Sequence, residues 1–145
     1  MNLNHSNDEV MTLAIRPREP IFFFEIDQEH SYILFRKIRS ILKDIQTAYN
    51  LDSQIYETKH GYHIIVESTS WDQTLDLRKT FFSWVEVNYF NEDPTKAALR
   101  VSAKRSIQTG NIISPAPRLV WESTKGLPDL RRLKDYQVEI YKTSD

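Results

Sequence analysis

The sequence predicts an α+β fold in the order β-α-β-β-α-β, and three observations carry that reading. The segments Ile21-Phe22-Phe23-Phe24-Glu25-Ile26-Asp27 and Tyr62-His63-Ile64-Ile65-Val66-Glu67 alternate with the two-residue period of a strand. Between them, Ile33, Leu34, Ile38, Ile41, Leu42, Ile45 and Ala48 recur at three and four, the period of a helix. Turn-forming residues, Lys59-His60-Gly61 and Asn91-Glu92-Asp93-Pro94 among them, separate the periodic runs.

Taken in order, residues 1–15 are expected to be a flexible N-terminal segment, and residues 16–145 one domain, the usual size for a chain of 145 residues. Arg16-Pro17-Arg18-Glu19-Pro20 is a Pro-punctuated lead-in that favours extended backbone. A strand follows at about 20–27, with Phe22, Phe24 and Ile26 on one face and Glu25 and Asp27 on the other. The helix over 29–49 places Arg36, Lys37, Arg39, Lys43 and Asp44 outward, and Asn50 and Asp52 end it. Strands are predicted at 53–58 and 62–68, and His63 shares a face with Gly61, Ile65 and Glu67. Ser68-Thr69-Ser70 offers an N-cap for a second helix over about 71–87. Residues 97–105 alternate again, with Leu99, Val101 and Ala103 inward and Arg100, Ser102 and Lys104 outward. A hairpin around Gly110-Asn111, strands at 118–122 and 137–141, and a helical turn near 128–134 complete the chain. The order is that of the split βαβ, or ferredoxin-like, sheet with helices on one face. In that arrangement the first and third strands are neighbours, the fourth flanks the first, and extra C-terminal strands follow.

Composition narrows the function. Net charge is −1, so attraction to nucleic acid needs a local patch, and Arg100, Lys104, Arg105 and Arg118 offer one. No cysteine is present, which excludes disulfides and thiolate metal sites. There is no apolar run of about 20 residues and no signal-like segment, so the expectation is a cytoplasmic protein with no membrane partner.

On the ferredoxin-like sheet, Glu25, Asp27, His63, Arg100, Ser102 and Lys104 are expected on the open, helix-free face. Two carboxylates at spacing two on a strand suit Mg²⁺ or Mn²⁺, since hard cations take oxygen ligands and substrate phosphates complete the shell. Asp93 is the best placed third acid. Taken singly, each residue also has a bland reading. An acid or a His on a solvent face needs no role, and Asp before Pro is an ordinary turn residue.

These residues carry a family resemblance. The chain resembles the small catalytic subunit of archaeo-eukaryotic primases and the shorter primase-polymerase proteins of plasmids and viruses. Phe22-Phe23-Phe24-Glu25-Ile26-Asp27 is similar to that family's hydrophobic strand ending in acid-x-acid, with Glu where Asp is usual. Tyr56-Glu57-Thr58-Lys59-His60-Gly61-Tyr62-His63 matches the aromatic, Gly and His positions of a second motif, Phe-Ser-Gly-x-x-Gly-x-His, and departs at Glu57 and Thr58. Asp93 alone is available for the third, single-acid motif, and Leu99 to Lys104 resembles a basic strand that contacts nucleotide phosphates. The likeness spans about residues 20–122, and the family's zinc-binding insert is absent. It implies a minimal palm domain for metal-dependent nucleotidyl transfer, DNA primase or polymerase-like, or residual nucleotide binding. Glu25, Asp27 and Asp93 would hold metal, His63 would contact the triphosphate, and Arg100, Ser102 and Lys104 would meet phosphate. The implied partners are a nucleoside triphosphate, single-stranded nucleic acid and other replication proteins.

Two other classes fit the same strands. RNA-recognition modules share the element order, but their stacking positions would fall on His63 and Ile65, with Phe23 alone on the first strand. A rolling-circle endonuclease needs His-hydrophobic-His, and His60 and His63 are three apart. A protein-interaction domain without catalysis remains the plain alternative.

Overall fold

Two antiparallel sheets and two helices make up the described residues, 9–17, 21–67, 70–83, 99–100, 102–123 and 136–144, of a computed structural model. The elements are β1 (Glu9–Pro17), β2 (Ile21–Ile26), α1 (Tyr32–Tyr49), β3 (Ser53–Glu57), β4 (Tyr62–Glu67) and α2 (Trp71–Phe81), then β5 (Leu99–Arg100), β6 (Lys104–Ser106), β7 (Ile112–Ser114), β8 (Arg118–Glu122) and β9 (Tyr136–Ser144). The class is α+β.

The first sheet has the order β2-β4-β3-β8. Both β2 and β3 run antiparallel to β4, so β2-α1-β3 is a crossover with β4 inserted between its strands. Helix α1 starts where Ser31 accepts a hydrogen bond from the Leu34 amide, and it ends at Asn50, whose φ of 56° is the left-handed cap that Asn tolerates. Its buried stripe, Leu34, Ile38, Leu42 and Ile45, joins Leu77 and Phe82 from the α2 region over Ile26, Ile55, Tyr62, Ile64 and Val66 of the sheet. Ile33, which the periodicity assigns to the apolar face, is 81% exposed, because at about 100° per residue it falls outside the stripe of Leu34, Ile38, Leu42 and Ile45. Asp52 ties the far ends together: its side chain accepts from Gln46 of α1 and from Ser123, and its amide donates to Glu67 of β4.

The second sheet is built on β1. Strand β9 pairs along all of one edge of β1, so β5 and β6 share the other, and β7 pairs with β6 in a hairpin closed at Gly110. Here the structure departs from the sequence reading. Residues 9–15, expected in a flexible N-terminal segment, are seven of the nine residues of the central strand of this sheet. The basic segment 99–106 does not flank β2; it pairs with β1, and β8 extends the first sheet beside β3 instead. Ser102 supplies the physical reason. Its hydroxyl accepts from the Leu13 amide at 2.8 Å and lies 3.2 Å from the Thr12 hydroxyl, which fastens the break between β5 and β6 onto β1. The second helix stops at Phe81, and the turn expected near 128–134 lies outside the described residues.

Candidate functional site

The strand carrying the acids and the strand carrying the histidine are neighbours. Glu25 of β2 stands directly opposite His63 of β4, and His63 directly opposite Tyr56 of β3, so the three form one row across the sheet. Gly61 lets this happen, because a Cβ there would collide with the carbonyl oxygen of Ile26. The turn is held by the Thr58 amide donating to the Gly61 carbonyl at 2.9 Å, and His30 Nε2 meets the same carbonyl at 3.0 Å.

The face that bears the row is not open. Gln54, Tyr56, His63 and Ile65 are all buried, although no helix residue of the core lies on their side. The second sheet reaches this side: Lys59 Nζ donates to the Ile113 carbonyl at 2.9 Å, and the charges of Arg100 and Lys104 act on Glu25. His63 is therefore a buried ring, 4% exposed, where the sequence suggests a solvent-facing one. Its Nε2 faces Glu25 Oε1 at 3.6 Å, long for a hydrogen bond but close for a charge contact. Its Nδ1 has no hydrogen-bond partner among the described residues.

Glu25 is the half-exposed member, with 39% of its side chain open to solvent. The facing His63 imidazole holds its carboxyl below the usual glutamate range; burial works against this, and the charges of His63, Lys104 and Arg100 lower it further. Arg100 is held by carbonyl acceptors, Ser102 at 2.7 Å and Pro115 at 3.0 Å. Burial lowers its own pKa and Glu25 raises it, which leaves a guanidinium charged at any ordinary pH. Ser102 is the member of the expected set that the structure employs elsewhere, since its hydroxyl serves β1.

Asp27 lies one residue past the end of β2 and is exposed. It lines an open depression of about 570 Å³ with Glu29, His30, Lys59 and His60. Asp93 lies outside the described residues. Among the described residues no three carboxylate or imidazole groups converge as a metal cage.

No family model, curated protein or solved structure matches this chain. The site is therefore read from its own residues. Sequence reasoning quoted Tyr56 as the aromatic of the second motif without placing it beside His63, although the turn at 58–61 already sets that register, and it gave His30 and Lys59 no role at the depression.

Proposed function

We propose that this chain performs metal-dependent nucleotidyl transfer of the archaeo-eukaryotic primase-polymerase kind, or retains the nucleotide binding of such an enzyme. The observation that supports it best is the pairing of Glu25 with His63 in adjacent strands, with the charges of Arg100 and Lys104 acting on the same acid. Two motifs resembling one family thus meet at one point. On this reading β2-α1-β3 with β4 inserted is the ferredoxin-like half of a palm.

Glu25 and Asp27 fit a hard divalent cation, because Mg²⁺ and Mn²⁺ are commonly held by one or two carboxylates plus water and substrate phosphates. Asp93 would be the third acid. The ion, when bound, would acidify an attacking hydroxyl and neutralise the departing pyrophosphate. The chain's own groups would do the rest. Ionised Glu25 accepts without needing to lose a proton first, Arg100 and Lys104 neutralise phosphate charge, and the buried His63 orients Glu25 through Nε2 rather than meeting phosphate itself. Ser102 drops out of this phosphate set, since its hydroxyl is already engaged by β1. Partners would be a nucleoside triphosphate, single-stranded nucleic acid and other replication proteins, with cytoplasmic work. No helix among the described residues is long and apolar enough to cross a membrane.

The RNA-recognition reading is disfavoured by the burial of Tyr56, His63 and Ile65, which leaves that face no platform for stacked bases. The test is calorimetry with Mn²⁺ and a non-hydrolysable nucleoside triphosphate, followed by incorporation of labelled nucleotide on a primed template. The reading expects binding that Asp27→Ala abolishes and incorporation that needs metal. An unaltered isotherm for Asp27→Ala removes that residue from the site, and no binding by the unmodified chain ends the proposal.

A further inference from the structure

Helix α1 carries a feature that neither the core nor the acid-histidine row uses. At about 100° per residue, Tyr32, Arg36, Arg39 and Lys43 fall within roughly 60° of one another around the axis, and form one stripe. Tyr32 is 68% exposed, Arg36 and Lys43 are exposed, and Arg39 is half-buried. The Arg36 guanidinium lies over the Tyr32 ring at 5.5 Å, and that of Arg39 over Phe35 at 5.4 Å. Among the described residues, the ion pairs Glu25–His63 and Glu57–Arg118 lie elsewhere, and none joins a carboxylate to Arg36, Arg39 or Lys43.

The charge is concentrated rather than average. The helix holds Arg36, Lys37, Arg39 and Lys43 against a single acid, Asp44, in a chain whose net charge is −1. Asp44 points about 100° away from Lys43 around the axis. Nor does the helix dipole account for the arrangement, because the first turn has no acid and the last turn no base, so the cations do not sit where the dipole would favour them.

We propose that the stripe Tyr32-Arg36-Arg39-Lys43 is the docking surface for a single-stranded polynucleotide. The three cations sit about 4.5 and 6 Å apart along the axis, a row that a phosphate backbone can follow. The exposed Tyr32 ring, capped on one side by a guanidinium, offers the flat partner that unpaired bases stack on. A bilayer is the poorer occupant, since the apolar stripe such a helix would insert, Leu34, Ile38, Leu42 and Ile45, is already buried in the core. An acidic protein would answer the charge but not the ring. His30, just ahead of the helix, lines the depression with Asp27, Glu29, Lys59 and His60, so the Tyr32 end of the stripe lies close in sequence to it. Its assignment as the template strand of that site rests on the function proposed above; its assignment as a strand-binding surface does not.

The experiment is fluorescence anisotropy with a labelled oligothymidylate of about 20 nucleotides, titrated between about 50 and 200 mM salt. Replacing Arg36, Arg39 and Lys43 together by Gln should weaken binding by at least about tenfold at the lower salt. It should also reduce the log–log salt slope by about 2, the release expected for three phosphates on a single strand. Tyr32→Ala should weaken binding about tenfold with the slope kept, because stacking is not ionic. Lys79→Gln, an exposed cation on α2, should change neither. Wild-type affinity and slope in the triple variant would overturn the proposal, as would binding of the unmodified chain to anionic vesicles or an acidic peptide but not to the oligonucleotide. Triphosphate binding with Mn²⁺ is measured on the same proteins. Loss of strand binding with triphosphate binding kept supports the stripe; strand binding without any triphosphate binding also supports it while ending the catalytic reading.

Discussion

Gly61 occupies the tightest point of the site, where β4 begins against the last residue of β2. A methyl group there must displace backbone rather than a side-chain tip, because the atom it would strike is the Ile26 carbonyl oxygen. Gly61→Ala is therefore expected to destabilise the fold by about 3 kcal/mol, read as a fall in the urea midpoint. A midpoint like that of the unmodified chain would mean β2 does not approach so closely. Glu25 gives a pH signature. Its carboxyl titrates below the ordinary glutamate range in the folded state, so its contribution is full above that range. It is lost as pH falls through the lowered folded value. The stability gap between the unmodified chain and Glu25→Gln should consequently be widest near neutrality and close in acid. With 39% of the side chain exposed, the gap is expected to be small, and a gap that widens in acid would contradict the contact with His63.

Elements were legible in the sequence to the degree that their periodicity was clean. Helix α1 has four buried residues at helical spacing and explicit caps, and β4 is an alternating strand next to a required glycine, so both stood out. Strand β1 was equally periodic, with Val10 and Thr12 buried and Met11 exposed, but the prolines at 17 and 20 read as the start of order rather than the end of a strand. That misreading carried the basic segment into the wrong sheet. The break at Ser102 hid it further, since a strand of 97–105 read as continuous is really two short pieces joined by a hydroxyl. Ser102→Ala tests that joint. It leaves the Leu13 amide short of a partner, while the Thr12 hydroxyl keeps the Ser102 carbonyl at 3.3 Å, and it should cost about 1–2 kcal/mol in thermal or denaturant unfolding, with triphosphate affinity little changed. A lost affinity with unchanged stability would instead return Ser102 to the phosphate site.

On the scale of the whole molecule, the first sheet is covered on both faces, and that was not legible. Alternation gave the apolar side correctly, but it cannot say whether a polar side meets water or another layer. Gln54, Tyr56 and His63 are polar residues that the second sheet's side of the fold buries. Strand β4, central and enclosed, should hold the slowest-exchanging amides, while those of β7, a three-residue edge, exchange early. Comparable rates by hydrogen-exchange mass spectrometry would show that the two layers open as easily as an edge. The pairing of β1 with β9 has a further consequence, which concerns the ribosome. Strand β1 emerges first, and β2, α1, β3 and β4 can collapse on nearby contacts soon after. One full edge of β1 nevertheless stays bare until residues 136–144 leave the exit tunnel. At about 5–20 residues per second, the wait after β6 has appeared is on the order of a few seconds. During it the nascent chain presents an unpaired strand edge of the kind that recruits other strands. Newly made chains, rather than finished ones, are thus the population in which this edge is open to pairing with another strand.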